Sequence, residues 1–423
     1  MTLKDRILST FRLSRDTTKN LVDIVAGVPI AMKTTPEIKR VDLQALEEDY
    51  FGNPVIFNGV NKQVQILMST SRTIEAKDEN VKNHFEELID KIGYSGGEMS
   101  WDEWLEVTFR HEIVFGRAWT ELIHNKKGNR IVDIDTIDPK KMDYAKKHGD
   151  KIALDEQGNP IGYVQTLPML SLEEIEKRKK FKPPENLGIP IQGNQIFLPP
   201  SRVAHFKLYT IGDGFYGIGL VEPIHLISRS KEELQAALVN AMWRAGFPTP
   251  MLKKGDKDHE PTLTQVKKAF EKLKRMNYKF GFSMPYYDDL KFLEAKHPEK
   301  LKEHLEFFID QQITGLGMAR AFVTGSGESG TNRAILTRQE YIMKLTLRDI
   351  LKRTFRNIEA KIFYPIAKLE GFKEVPKISC GEVVLQELDS KASRLIGYAK
   401  SGLITSDAQT EEYIRKMEDL PPK

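Results

Sequence analysis

The sequence predicts an α+β protein in which two long helices enclose a small mixed insert. In several stretches apolar residues recur at three- and four-residue steps, which is typical of amphipathic helices. Between residues 118 and 208 the pattern instead alternates with a period of two, which is typical of strands. With 423 residues, 40% of them hydrophobic and 29% charged, the chain is long enough to form two or more structural units around a buried core.

The composition excludes several classes of protein. With 64 basic and 60 acidic residues and a net charge of +4, the chain is not a tight, non-specific nucleic-acid binder. Its single cysteine, Cys380, excludes an internal disulfide and a cysteine-based zinc site within one chain. The longest apolar run, near residues 21–32, contains Asp23 and is too short to cross a bilayer, so no membrane association is expected.

The first part of the chain predicts an arm followed by three helices. Weak, basic helical character in residues 1–49 predicts a loosely held N-terminal arm. Pro54 marks the start of the first helix, and a second helix covers residues 78–92. Ser100 and Glu103 form a capping box, which predicts the start of the third helix. The buried faces of these helices are predicted to contain Val60, Val64, Leu67, Val81, Phe85, Leu88, Ile92, Trp101, Trp104, Leu105 and Phe109.

Strands follow these helices. They are predicted at residues 118–124, 130–137, 151–154, 161–164 and 203–208, with the first four forming two hairpins. Asp133 and Asp135 lie on the same face of one strand and are a conceivable metal-binding pair. A half-solvated strand explains them better, because no histidine or third acid lies at ligand spacing on that strand. No metal site is therefore predicted.

Two long helical patterns bracket the insert. The first ends at Gly246, and the second runs from Glu299 to Leu316, where Gly315 and Gly317 interrupt it. The intervening insert is predicted to contain a strand at 249–252, a helix at 262–276, and strands at 280–284 and 290–293. After a glycine-rich loop, a further helix is predicted, which Pro365 should end because proline lacks a backbone donor.

The glycine-rich loop invites a nucleotide-binding interpretation. Gly325, Gly327 and Gly330 match G-x-G-x-x-G, the spacing that wraps a pyrophosphate. A dinucleotide site needs a buried strand before the loop, and here only residues 321–323 could be extended. A mobile polar loop is therefore the preferred interpretation, with a nucleotide-binding enzyme as the alternative. No catalytic residue and no cofactor is predicted, because no Ser/His/acid arrangement is readable from residue order.

Taken in order, these segments resemble the portal (head-to-tail connector) proteins of tailed double-stranded DNA viruses. Residues 53–60 look like the opening helix of the family's wing, and residues 212–223 look like the passage from the wing into the first stem helix. Residues 308–313 resemble the second stem helix, and the glycine-rich loop falls at the family's tunnel loop. Residues 401–408, together with Leu420 and Pro421, resemble the helical crown.

The resemblance implies a ring subunit with an α/β wing, a helical stem, a small α/β clip and a helical crown. The implied ranges are 1–49 for the N-terminal arm, 50–219 for the wing, 220–246 for the first stem helix, 247–297 for the clip, 298–323 for the second stem helix, 324–333 for the tunnel loop, 334–370 for the long wing helix and 371–423 for the C-terminal crown.

The function implied by this resemblance is a ring, typically of twelve subunits, that is the channel for DNA packaging and ejection at one capsid vertex. The implied partners are further copies of the chain, double-stranded DNA, terminase, the major capsid protein, and head-completion or tail adaptor proteins. Such a protein is located in the virion, assembles in the host cytoplasm and is not an enzyme. A non-viral oligomeric scaffold stays open as a second alternative.

Two groups of site residues follow from the resemblance. The DNA-facing tunnel loop would consist of Thr324, Gly325, Ser326, Gly327, Glu328, Ser329, Gly330, Thr331, Asn332 and Arg333. The terminase-docking residues of the clip would be Lys253, Lys254, Tyr286 and Tyr287.

Overall fold

The protein is described by a computed structural model that covers most of the chain. The described residues are 41–93, 99–147, 151–168, 171, 173, 175, 180–184, 188–211, 214–246, 249–255, 258–274, 289–293, 301–324, 333–381 and 411. Within them, no helix has both the length and the apolar character that a bilayer crossing requires.

The chain alternates between helices and short strands. The helices are α1 (Leu43–Gly52), α2 (Pro54–Met68), α3 (Glu79–Lys91), α4 (Trp101–Phe115), α5 (His225–Gly246), α6 (Leu263–Lys274), α7 (Leu301–Gly315), α8 (Arg320–Thr324), α9 (Arg333–Ile358) and α10 (Tyr364–Glu370). The strands are β1 (Arg72–Glu75), β2 (Arg117–His124), β3 (Ile131–Ile137), β4 (Met142–Tyr144), β5 (Tyr163–Thr166), β6 (Gln195–Leu198), β7 (Val203–Lys207), β8 (Thr249–Lys253), β9 (Asp289–Leu293) and β10 (Lys377–Cys380).

The three predicted helices after the arm are confirmed as α2, α3 and α4. The Asn53 side chain accepts a hydrogen bond from the backbone of Val55, and Pro54 occupies the first turn of α2. Ser100 and Glu103 satisfy each other's backbone N–H groups in the predicted capping box. Every residue predicted for the buried faces of these helices is buried except Trp101, which is partly buried.

Strands β3, β2 and β7 form, in this order, a three-stranded antiparallel sheet. Along β2, Ala118 and Leu122 pack into the large core that the helices form, whereas Trp119 packs into a separate core against the second sheet, β4-β5-β6. Both faces of the sheet are therefore covered. The prediction of a half-solvated strand is wrong at Asp133, which is only 3% exposed.

The second predicted hairpin differs from the observed pairing. Residues 153–155 and 159–161 form a short hairpin with an isolated bridge between Leu154 and Pro160 and a hydrogen bond from Ile161 N–H to the carbonyl of Ala153 (3.0 Å), whereas the ordered ladder pairs β5 with β4 and β6. The strand Met142–Tyr144 was missed, because three residues are too few to show an alternating pattern.

Pro365 does not end the long helix. After α9 the chain forms a π-helical turn, Glu359–Phe363, and continues directly into α10, where Pro365 lies in the first turn. In the π turn the N–H of Tyr364 reaches the carbonyl of Glu359, so the hydrogen-bond register changes just before the residue that has no N–H. The predicted apolar row on this helix, Leu347, Leu351, Phe355, Ile358 and Ile362, is confirmed as buried.

The two ends of the described chain pack into the same body. Helix α1 begins within the range predicted for the arm, and its residue Leu46 is completely buried. Strand β10, within the range predicted for the crown, pairs antiparallel with β1. Leu46 thus belongs to the large core, and Ile378 and Cys380 of β10 pack against it, whereas residues 1–40 of the predicted arm and most of the predicted crown lie outside the described residues.

Candidate functional surfaces

Three glycines allow close backbone contact at the crossing between the β3-β2-β7 sheet and helix α5. The backbone around Gly217 and Gly219 lies directly against the turn between α4 and β2, where Gly116 has a φ of 72°. A Cβ at Gly217 would lie 1.8 Å from the carbonyl oxygen of Gly116. Backbone hydrogen bonds from Leu208 to Gly116 (3.0 Å) and from Leu220 to Ile113 (2.8 Å) fix this crossing. Contact between the backbones of residues 113–116 and 217–220 therefore fixes the direction in which the chain enters α5.

Helices α5 and α7 run antiparallel and contact each other through three polar side chains, Ser228, Lys231 and Gln312, which we call the polar seam. The Gln312 side chain donates to Ser228 Oγ (3.0 Å) and accepts from Lys231 Nζ (3.3 Å), and all three residues are buried. Burial lowers the pKa of Lys231. One helical turn beyond this seam, a Cβ on Gly315 would lie 2.1 Å from Ile224, so only glycine permits the close approach of the two helices there.

A carboxylate on α1, that of Asp49, contacts the first residue of α5. Asp49 Oδ2 lies 2.6 Å from His225 Nδ1 at the first residue of α5. Burial raises the pKa of Asp49, and the hydrogen bond and charge of His225 oppose that rise. The pair connects the base of α5 to α1, which the sequence analysis had assigned to the arm.

The segment between α7 and α9 is anchored on α2. Asn58 Nδ2 donates to the carbonyl of Val323 (2.8 Å), and the Gln63 side chain donates to the carbonyl of Leu316. Residues 321–323 belong to helix α8, so the only part of this segment that could have been a strand is helical. A dinucleotide-binding loop therefore lacks the preceding strand that it needs.

Only the ends of the predicted tunnel loop are described. Thr324 is the last residue of α8 and Arg333 is the first residue of α9, while residues 325–332 lie outside the described residues. Asn58 and Gln63, which donate hydrogen bonds to the segment before this loop, were not predicted from the sequence. A signal was present, because Gln63 interrupts the otherwise apolar face of α2 that Val60 and Val64 form.

The insert contains the predicted strand β8, helix α6 and strand β9, while the strand predicted at 280–284 lies outside the described residues. Strands β8 and β9 pair antiparallel, and Lys253 lies opposite Asp289 in that register. The Lys253 side chain is exposed and Lys254 is partly buried. Helix α6 presents three exposed apolar residues at helical spacing: Leu263, Val266 and Phe270. Tyr286 and Tyr287 lie outside the described residues.

Further apolar side chains are exposed on the outer face of α9. Tyr341, Ile342 and Leu345 are 60%, 55% and 47% exposed, and they lie on one side of the helix because they are three and four residues apart. The far half of α5 exposes Val239 and Met242 in the same way. Exposed apolar residues that cluster on a helix face are typical of a protein–protein interface.

Buried titratable groups also occur between α4, β7 and the π turn. Burial raises the pKa of Glu112 to about 7, and the Thr354 hydroxyl donates to this carboxyl group. Burial lowers the pKa of Lys361 to about 8, and its ammonium donates to the backbone carbonyl of His205. Both groups, the Glu112 carboxyl and the Lys361 ammonium, are buried. In the described part of the chain, no group of histidine, cysteine and acidic side chains is arranged to hold a metal ion.

Comparison with solved structures finds similarity, over almost the whole chain, to components of a gene transfer agent particle. A chain from the neck of an empty gene transfer agent (GTA) particle, computed with C6 symmetry, has 14% identity and a TM-score of 0.60, and the match covers 96% of this chain and 100% of that chain. A chain from the neck of the native particle, computed with C12 symmetry, has 14% identity and a TM-score of 0.58 with the same coverage.

A third similar structure is an HK97-family phage portal protein from Corynebacterium diphtheriae, with 12% identity, a TM-score of 0.46 and coverage of 79% of this chain and 95% of that chain. No protein-family model matches the sequence, and no curated protein sequence matches it either. The predicted α+β fold class is confirmed, and the chain shares this fold with the GTA particle components.

Proposed function

We propose that the chain is a portal-type subunit that assembles into a ring and is the channel for double-stranded DNA in a phage-like particle. The observation that carries the proposal is the fold, which is shared with GTA neck components over almost the whole length of both chains. The twelvefold symmetry of that native neck supports a ring of twelve subunits for this chain. The role is structural and requires no catalytic residue.

The surfaces of the described residues support assembly. A ring closes head-to-tail, so each subunit must offer two different complementary surfaces. The exposed apolar residues on α9 and on the far half of α5 are candidates for such surfaces. In a ring they would be removed from water, which stabilises an assembly by about 25 cal/mol for each Å² of apolar surface buried.

Electron microscopy of the purified protein tests the proposal. Negative-stain images are expected to show rings with a central hole, and sedimentation is expected to show one large species. A monodisperse monomer that binds a nucleotide would instead favour the enzyme that the glycine-rich loop suggests. Rings that cannot retain DNA in a packaging system would favour a non-viral scaffold.

The tunnel loop is proposed to face the DNA, with Thr324 to Arg333 at the narrowest part of the channel. Its entry is held by the contacts of Asn58 and Gln63, so the loop can change length without disturbing α8. Arg320, at the other end of α8, forms an ion pair with Asp310 of α7 (3.0 Å). This ion pair holds the Arg320 guanidinium against α7. Glycine also leaves the loop backbone free of the restrictions that a Cβ imposes.

Shortening the loop by residues 325–330 is expected to leave ring assembly and thermal stability nearly unchanged while impairing DNA packaging or retention. The reason is that the contacts of Asn58 with Val323 and of Gln63 with Leu316, which anchor α8, involve no residue of 325–330 and remain in the shortened chain. Packaging in a reconstituted system, compared with sedimentation of the same variant, measures the two effects separately. Normal packaging with full retention would place the constriction elsewhere, and loss of assembly would show that the loop is structural.

The insert is proposed to be the clip that docks terminase and, later, the head-completion or tail adaptor proteins. Lys253, Lys254, Tyr286 and Tyr287 are the proposed contact residues, and the exposed apolar face of α6 lies in the same insert. The proposed remaining partner, the major capsid protein, would contact the wing. These assignments place the protein at the portal vertex of the virion after assembly in the host cytoplasm.

Replacing residues 253–293 by a short Gly/Ser linker is expected to spare the wing and to abolish terminase binding. The wing has its own core, to which the strands of the insert contribute no buried residue among those described. A pull-down with terminase measures binding, and unfolding of the wing in urea provides the control. Undiminished binding by the shortened chain would move the docking site out of the insert.

A further inference from the structure

A row of basic side chains lies on the exposed face of α9, on the C-terminal side of the exposed apolar residues Tyr341, Ile342 and Leu345. Arg348, Lys352 and Arg356 follow one another at four-residue steps, and all three are exposed. Four residues of an α-helix rise about 6 Å, so the row extends over about 12 Å. The whole chain is nearly balanced in charge, with 64 basic and 60 acidic residues. The row is therefore a local concentration of positive charge.

The acids close to the row in sequence are already engaged. Asp349 pairs with Arg353 (2.8 Å), and Glu359 accepts a hydrogen bond from the backbone N–H of Ile378 (2.8 Å). Within the part of the chain that the structure describes, none of the three side chains in the row forms an ion pair. Their charges are thus available to a ligand.

We propose that Arg348, Lys352 and Arg356 bind the phosphate backbone of a double-stranded DNA. The inference rests on the proposed function, and it adds a DNA contact on the wing to the one proposed for the tunnel loop. Duplex DNA carries one negative charge per about 1.7 Å of its axis, so a row of this length faces several phosphates at once. The guanidinium groups of Arg348 and Arg356 can each hold a phosphate through two parallel hydrogen bonds.

The alternative occupant is an acidic protein surface, and the arrangement along α9 favours DNA over it. Protein interfaces have an apolar centre with a polar rim. Here the exposed apolar residues of α9 end at Leu345, and the row begins one turn later with no exposed large apolar side chain between its members. The helix therefore separates into an apolar part that suits another subunit and a basic part that suits phosphate, and binding by the basic part should not depend on DNA sequence.

The test is salt-dependent binding of a fluorescently labelled 30-base-pair duplex by the full chain. Each phosphate contact contributes a slope of about −0.9 to the plot of log affinity against log salt, so the variant R348Q/K352Q/R356Q should reduce the slope by about 2.7. We expect its affinity at low salt to fall at least tenfold. The control K62Q/K126Q/K127Q removes the same charge from α2 and the β2–β3 turn and should change the slope far less.

Three outcomes decide the matter. An unchanged slope in the row variant, with normal thermal unfolding, overturns the inference. An equal fall of the slope in the row variant and in the control variant would show that binding does not depend on where the charges lie, which also overturns it. Ring formation is measured separately by sedimentation. If the wild-type chain forms no rings but binds the duplex, and the row variant loses that binding, the result supports this contact and rejects the proposed function.

Discussion

Replacing Gly217 with alanine is expected to leave little folded protein. The added Cβ would lie 1.8 Å from the carbonyl oxygen of Gly116 and 3.0 Å from the backbone nitrogen of Leu208, and neither is the flexible end of a side chain. The two segments must separate, which breaks the backbone hydrogen bonds at this crossing. We expect a loss of about 4 kcal/mol in the free energy of unfolding, a large share of the roughly 5–15 kcal/mol that is typical of a folded domain.

Urea unfolding followed by circular dichroism measures this effect. Gly52→Ala is the matched control, because an added Cβ there has no atom within 4 Å and its backbone has no positive φ. That substitution should be neutral or slightly stabilising, since alanine lowers the entropy of the unfolded chain. Gly217→Ala protein with near-normal stability would mean that the crossing is looser than the structure indicates.

The double variant Ile342→Asp/Leu345→Asp is expected to convert rings into monomers. Both side chains are about half exposed in the isolated chain, so the charges should not disturb folding, and surface substitutions of this kind usually change stability by less than about 0.5 kcal/mol. In a ring the same positions would be buried against a neighbouring subunit. Two unpaired carboxylates at a buried apolar contact are strongly unfavourable.

Sedimentation velocity of the purified variant distinguishes the two species, and thermal unfolding shows that the monomer is folded. Ile211→Asp is the control, because Ile211 is 69% exposed on the loop after β7 and not on either of the two proposed faces. Intact rings of the double variant at normal yield would remove this face of α9 from the subunit interface, and assembly would then have to depend on other surfaces such as the far half of α5.

Much of the candidate site was predictable, but its anchoring was not. The order of long helix, insert, long helix and glycine-rich loop follows from periodicity and from glycines and prolines, which act on their immediate neighbours. The clamp of Asn58 and Gln63 on residues 316–323 joins positions more than 250 apart in the chain. No single-sequence pattern specifies such a pair, although a glutamine within the apolar face of α2 indicated that the face meets a polar group.

The amino-acid sequence by itself determined where helices begin and which of their faces are buried. Capping by Asn53 and by the Ser100–Glu103 pair, and the apolar rows of α2, α3, α4 and α9, depend on residues within a few positions of one another. Only the tertiary structure decided that Asp133 is buried, because its carboxylate accepts a hydrogen bond from the backbone N–H of Gly93 (3.3 Å), which lies 40 positions away in the chain. It also decided that the long helix continues through Pro365, since packing of Ile358 and Ile366 on the two sides of the π turn stabilises a register that local sequence disfavours.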